Sequence, residues 1–536
     1  MSDRRYKRGP SREQGYLLPP HIEDYVSGRN PVRAIDAYVA SLDLAGLGFQ
    51  HAQGGVQKGQ PAYSPSDLLK LYLYGYLHRV HSSRRLESET HRNLEVIWLL
   101  KGLRPSYKTI ADFRKTNLSA LKSVNRDFVM LCKELDLYGG ELVGIDGSFF
   151  TGNASRGSVS TASKLKKQHE KIEADIGRYL DELARRDTDE SEASGVEDGR
   201  LEEKLARLRE RQKRCQDKLE ALDASESKQL SETDPDARLL SKPGQKTVGY
   251  NVQCAVDAKH KLLVSCDVVT DRNDLGQLHP MARKAKDALG RETLLVVADS
   301  GYYKHTHLKA CEDDGITPYV AIPDRSGPIR QAGRFAREDF DYDATRDAYR
   351  CPAGEYLTRR SRHRKGDKMM IKYALAARTC RACALRRRCL PPQTPCRQLH
   401  RYEHEEVVVA HRARMDKKGR AYMKIRSALV EHPFGTLKQW CGRMHFLLRG
   451  LAKVRAEMNL LMLSYNFKRV LNIIGIEAFR AYCLRRKAAK GGNSILFYLF
   501  ARRIWAISTF CDRISVIFSV TELWAFKKEG IQKQPI

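Results

Sequence analysis

An aspartate in the middle of an apolar strand is the most constraining feature of this chain. The stretch Glu141-Leu142-Val143-Gly144-Ile145-Asp146-Gly147-Ser148-Phe149-Phe150 reads as a strand, with Asp146 among apolar residues in its interior. Aspartate is a poor strand former, and a buried carboxylate is costly unless something compensates its charge. Asp146 must therefore be paired, bound to a metal, or held in a hydrogen-bonded turn. Gly144 and Gly147 beside it leave room for a ligand or another backbone to approach closely. A second acid stands in a similar place: the apolar run Thr293-Leu294-Leu295-Val296-Val297-Ala298 ends at Asp299-Ser300-Gly301-Tyr302-Tyr303. Just past the carboxyl end of a buried strand is where open α/β sheets carry their chemistry.

A third acid lies in Val430-Glu431-His432-Pro433-Phe434-Gly435-Thr436-Leu437-Lys438-Gln439-Trp440, beside a proline in an otherwise basic segment. Pro433 lacks an N–H and biases His432 away from helical angles, so Glu431 lies at the mouth of a helix or at a kink within one. If the helix is continuous, Lys438 lies two turns on and on the same face, giving an acid and a cation for a common target. The alternative is a solvated surface pair.

The rest of the chain frames these three acids. Residues 1–60 read as an irregular polar arm with a glycine-rich run over 54–59, and residues 61–138 as a small helical domain. There Leu68, Leu69, Tyr72, Leu73 and Tyr76 follow a helical period, a second helix begins at Ser82-Ser83, and Thr109 to Asp112 resembles a capping box opening a long helix, Ile110 to about Leu135. Arg84, Arg85, Arg92, Arg104, Lys108, Arg114 and Lys115 suit a DNA-binding domain, or else a helical bundle with a solvated basic face. Residues 160–240 form an island rich in Lys, Glu and Arg with two leucine stripes, predicting an antiparallel helical hairpin inserted into the strand-rich region. Strands follow at 248–257, 262–269, 293–298 and 316–322, with a helix at 275–289.

A long irregular basic segment, 327–420, holds Cys351, Cys380, Cys383, Cys389 and Cys396. A C-x2-C pair with flanking cysteines is consistent with structural Zn²⁺ on Cys351, Cys380, Cys383 and Cys389, ordinary reduced thiols being the alternative. Phe446 through Tyr465 marks a long amphipathic helix. In the tail, 471–536, the apolar run Ile495 to Trp524 is interrupted by Arg502, Arg503, Asp512 and Arg513, which argues against a membrane span and leaves no assigned role.

Charge narrows the function. With 95 Lys and Arg against 65 Asp and Glu in 536 residues, the formal net charge of +30 calls for a polyanionic partner, most simply nucleic acid. A ribosomal or architectural binder would share that charge. The first thirty residues have no apolar core and the 13 cysteines are mostly scattered, so a cytoplasmic, nucleoid-associated protein is expected. The order of strands, helix and acids is that of a ribonuclease-H-like α/β core. Three acids on such a frame can hold two divalent metals, and carboxylate oxygens suit Mg²⁺ or Mn²⁺.

Six segments together resemble the DDE-type transposases of bacterial insertion sequences. They are Tyr63 to Lys115, Gly144-Ile145-Asp146-Gly147, Gly249-Tyr250-Asn251-Val252-Gln253, Ala298 to Tyr303, Tyr349-Arg350-Cys351-Pro352-Ala353-Gly354, and Val430 to Lys438. The resemblance spans roughly residues 20–475. It implies a catalytic domain over 139–470 with Asp146, Asp299 and Glu431 as the metal-binding triad, and Lys438 as a contact to the terminal DNA. It also implies binding of the element's terminal inverted repeats, metal-dependent cleavage, transfer of the freed 3′-hydroxyl into double-stranded target DNA, and a homo-oligomer on DNA. Ser300 stands where many relatives carry a basic residue. Tyr422 and Arg426 precede Glu431 at spacings that differ from the related tyrosine-arginine-glutamate-lysine pattern, so their roles are not carried over. The competing readings are a nuclease of the same fold that cleaves without joining, and an inactive or domesticated DNA-binding protein.

Overall fold

The computed structural model describes residues 21–52, 61–188, 195–224, 229–242, 244–324, 326–440 and 445–490. These residues divide into two compact units, one built from the chain up to Tyr74, Ser83–Phe113 and the segment from Val470, the other from Gly75–Ser82 and Arg114–Arg469.

The first unit is helical among its described residues. It corrects the expectation of an irregular arm over 1–60, because Pro31–Ala40 is a helix with Val32, Ala34, Ile35, Ala37, Tyr38 and Val39 buried. Its start follows from local chemistry: the Asn30 side chain accepts from the Val32 N–H, and Pro31 at the first helical position gives up no hydrogen bond. This helix packs on Ile476–Lys490, where Tyr38 meets Phe479 and Arg29 pairs with Glu477. The start of the 471–536 tail therefore belongs to this unit, whereas its apolar run and the glycine-rich run at 54–59 lie outside the described residues. Helix Pro65–Leu77 stands where the apolar period of Leu68 to Tyr76 puts it and Ser83–Arg92 begins at the expected serines, whereas Leu94–Leu99 is a further helix not expected from the sequence. The long helix expected from Ile110 to Leu135 is instead two, Tyr107–Thr116 and Leu118–Glu134, divided at Asn117. The first opens at Ser106, whose hydroxyl accepts from the Thr109 N–H, so the cap precedes the expected box by three residues.

The second unit is organised around a mixed six-stranded sheet. Its strands are β1 (Leu142–Thr151), β2 (Arg238–Lys242), β3 (Gln245–Asp257), β4 (Leu263–Val269), β5 (Leu294–Ala298) and β6 (Ile316–Val320). The order is β2-β3-β1-β5-β6, with β4 also on β3. β1 runs antiparallel to β3 and parallel to β5, and β5 parallel to β6. β2 was hidden in the charged island; it pairs with Gln245–Gly249, while β4 pairs with the later part of β3. Helices Leu278–Leu289 and Arg420–Trp440 pack on this sheet.

The inserted hairpin is present as helices Ala162–Thr188 and Gly195–Asp223. Leu165, Ile172, Leu205, Leu208, Cys215 and Leu222 are buried, but Leu180, expected on the same stripe, is exposed. The irregular reading of 327–420 is overturned: β7 (Asp341–Asp343), β8 (Ala348–Arg350), β9 (Tyr356–Lys365), β10 (Lys368–Ala374) and β11 (Gln398–Tyr402) form an antiparallel sheet. Its core is Phe340, Tyr349, Leu357, Tyr373 and Leu399. Among the described residues no helix is long and apolar enough to cross a membrane.

Candidate active site

Asp146 lies at the centre of β1, opposite Cys254 of β3. The Arg426 guanidinium approaches its Oδ1 at 2.9 Å and Asp299 Oδ2 at 3.5 Å, so one cation bridges the two acids. The Gly147 N–H also donates to Asp146 Oδ1, at 2.9 Å. Burial pushes the Asp146 carboxyl above its usual range, Arg426 and the Gly147 N–H pull it back, and the nearby Asp299 and Asp274 carboxylates push it up again. Asp299 follows β5 directly and caps a short turn, its Oδ1 accepting from the Gly301 N–H at 2.9 Å.

Glu431 is carried by the helix Arg420–Trp440, which runs through Pro433 without ending. The alternative of a helix mouth is thereby settled in favour of a proline inside the helix. What fixes this helix on the sheet is the bareness of Gly144: a Cβ there would lie 2.9 Å from side-chain atoms of both Leu429 and Val430. Tyr422 packs against Tyr319 of β6, with ring centroids 4.1 Å apart and the rings tilted by 31°. Glu431 itself is exposed and accepts a hydrogen bond from the Ser427 hydroxyl at 2.5 Å. Lys438 is half-buried; burial and the nearby Lys242 lower its pKa, while Asp146 raises it. The structure thus brings Asp146 and Asp299 together and sets Lys438 within electrostatic reach of Asp146. Among the described residues, no three His, Cys, Asp or Glu side chains are gathered as a ready metal cage, and Glu431 is not drawn in. The donor chemistry nevertheless fits a hard divalent cation: the centre offers carboxylate oxygens, and a guanidinium already stands in for positive charge between two of them.

Two groups here were not singled out by sequence. The sequence assigns no role to Arg426, and Asp274, in the loop after β4, carries no signal of its own there. The available signal was Asn251 and Gln253, two amides on one face of an apolar strand, both now seen to donate to Asp274.

Cys351, Cys380, Cys383 and Cys389 line a single pocket together with Phe335, Pro352 and Leu375. The Cys389 thiol is pushed up by burial, drawn back by Arg397, and raised further by the other three cysteines. Cys396 does not line that pocket.

In the first unit Arg84, Arg85, Arg92 and Lys108 are exposed. Arg84 lies 5.3 Å over the Tyr107 ring, and Arg92 pairs with Glu89 at 2.5 Å. Arg114, expected to contact DNA, is a correction. It is buried at 5% exposure and faces the electrostatic field of the buried Glu457 carboxylate, so it is a core cation of the second unit.

Comparison with known families covers most of these segments. The profile of the transposase DDE domain matches residues 216–467, which include Asp299, Glu431, Lys438 and the four cysteines; Asp146 precedes the match. A second profile, described as a transposase domain (DUF772), matches residues 20–116. No curated protein matches the chain. Among solved structures, a cryo-EM structure of the piggyBac transposase synaptic complex with hairpin DNA aligns over 93% of this chain and 87% of that one. The identity is 9% and the TM-score 0.29, too low to carry an argument. Both family matches are to transposase domains, and they account for the acid-bearing strand end, the acid-bearing helix and the helical N-terminal region. The chain belongs to the DDE-type transposases of the insertion-sequence kind, enzymes that are metal-dependent polynucleotidyl transferases.

Proposed function

We propose that this transposase binds the terminal inverted repeats of its element, cuts the strand ends and joins the freed 3′-hydroxyls to target DNA at one acidic centre. The observation that carries the reading is the bridge from Arg426 to Asp146 and Asp299, two acids from parallel neighbouring strands that need a cation between them. Support for a ribonuclease-H-like core comes from the strand order, with the antiparallel β4-β3-β1 run continuing into parallel β5 and β6. Asp146, Asp299 and Glu431 would hold two Mg²⁺ or Mn²⁺ ions, Glu431 leaving Ser427 to do so. Bound there, the ions supply activation of the attacking oxygen and stabilisation of the leaving oxygen. The chain's own part is to fix the acids, to exclude water by packing Leu429 and Val430 on Gly144, and to offer Lys438 to the terminal phosphates. Arg84, Arg85, Arg92 and Lys108 would position the DNA ends in a homo-oligomeric complex, in the nucleoid of the cytoplasm.

A structural Zn²⁺ on Cys351, Cys380, Cys383 and Cys389 belongs to the same reading. It is supported by the place of four thiols, from three stretches of chain, in the lining of one pocket, where they would have to draw together to hold the ion.

The experiment is incubation of the full chain with DNA carrying candidate element ends, Mg²⁺ and a supercoiled target. Joined products are expected. Cutting without joining would make the protein a nuclease, and binding without cutting a DNA-binding protein alone.

A further inference from the structure

The motif Gly249-Tyr250-Asn251-Val252-Gln253 and the tyrosine at 302 have no part in the reaction described so far. Asn251 and Gln253 lie two apart on β3 and so share a face, and both are fully buried, as is Tyr302. Buried amides and hydroxyls need partners, and here the partners lead to one place. Asn251 Nδ2 donates to Asp274 Oδ1 at 2.7 Å and Gln253 Nε2 to the same oxygen at 2.6 Å. Gln253 Nε2 also lies 3.0 Å from Asn251 Oδ1, and the Tyr302 hydroxyl donates to Gln253 Oε1 at 2.5 Å. Three buried side chains therefore orient a single half-buried carboxylate on the largely exposed loop between β4 and the helix Leu278–Leu289.

That carboxylate stands at the acidic centre. A methyl group built on Gly147, the residue after Asp146, would lie 2.3 Å from Gln253 Nε2 and 2.5 Å from Asp274 Oδ1. One built on Gly301 would lie 3.0 Å from Asp299 Oδ1 and 3.8 Å from Asp274 Oδ2. The glycines after Asp146 and Asp299 are thus bare on the side where Asp274 comes in. A third negative charge beside two carboxylates that share one guanidinium opposes folding of the metal-free site, and a neutral carbonyl would have satisfied the same amides. The arrangement makes sense where cations are to be held.

We propose that Asp274 is a fourth acid of the metal centre, oriented by Asn251, Gln253 and Tyr302, and that it strengthens binding of divalent cations beside Asp146 and Asp299. The inference rests on the triad reading above. Loss of a group at this remove from a metal weakens affinity by about tenfold or more.

The test is titration of the full chain with Mn²⁺, following the free-ion signal by electron paramagnetic resonance, for wild type, Asp274→Asn, Tyr302→Phe and Asp146→Asn. Asp274→Asn keeps an oxygen for the two amides and removes the charge. It should bind Mn²⁺ about tenfold more weakly, with metal-free thermal unfolding at or above the wild-type temperature and unchanged affinity for end DNA. Tyr302→Phe keeps the carboxylate but loosens Gln253, and should give a smaller loss in the same direction. Wild-type affinity in both variants, with loss in Asp146→Asn, would overturn the proposal and leave Asp274 as an anchor for its loop. Wild-type affinity in Asp146→Asn as well would instead refute the triad reading.

Discussion

Arg426 decides the electrostatics of the acidic centre before any metal arrives. Asp146 and Asp299 repel each other, and the guanidinium between them offsets that repulsion. Arg426→Gln should therefore lower metal-free stability by roughly 1–3 kcal/mol, as expected when one partner of a half-buried charged pair is removed. Added Mn²⁺ should raise the melting temperature of this variant more than that of wild type. Thermal unfolding with and without the ion checks this, and equal shifts in both proteins would mean that the guanidinium and the metal do not share a site. At this scale the sequence was informative where a residue contradicts its surroundings: Asp146 in an apolar strand, Asp299 at a strand end, Glu431 in a basic helix. It was uninformative where a residue resembles its neighbours. Arg426 is one cation among many in its segment, and Arg114 looks like a DNA contact because charge alone says nothing about burial.

Elements with one clean period were legible, and those without it were not. β1, β3, β4, β5 and β6 lie within a few residues of their expected places because they are apolar and bounded by turns. β9 was missed because after Leu357 its residues are basic on both faces, with Arg359, Arg360, Arg362, Arg364 and Lys365 exposed, so no alternation survives. The helix Glu405–Arg414 is joined to the end of β6 by His411, whose Nε2 accepts from the Val320 N–H at 3.2 Å. Burial first, then Arg414 and Arg412, lowers this imidazole to about 4. A histidine depressed in the folded state contributes stability that is present above the unfolded value of about 6.5 and is lost as pH falls from there towards 4. The loss attributable to His411 should reach roughly 3 kcal/mol. His411→Gln, which keeps an acceptor for Val320, should flatten the pH dependence of denaturant unfolding between pH 7 and 4. His307, likewise lowered to about 4 by burial, should preserve part of the slope; an unaltered slope in the variant would contradict the assignment. For the second sheet, elemental analysis of freshly reduced protein should find about one Zn²⁺ per chain, and Cys380→Ser with Cys383→Ser should lose it together with stability. Zinc-free protein would leave four ordinary thiols around a pocket.

For the whole molecule, the excess of 30 positive charges makes DNA binding strongly salt-dependent. Arg84→Ala with Arg92→Ala removes two exposed cations of the first unit, and should lower the slope of log affinity against log salt by about two units on end-bearing DNA. An unchanged slope would move end recognition to another part of the chain, such as the basic β9 or the inserted hairpin. The central claim is that three acids, one from a strand interior, one from a strand end and one from a proline-containing helix, serve one metal-dependent reaction. The measurement that tests it most directly is Mg²⁺-dependent cleavage of end-bearing DNA by Asp146→Asn, Asp299→Asn and Glu431→Gln, with binding to the same DNA measured in parallel. Each variant removes a metal-binding charge with little change in shape, so each should bind like wild type and cut at less than about a hundredth of its rate. Cleavage near the wild-type rate by any one of them would remove that residue from the centre and contradict the account.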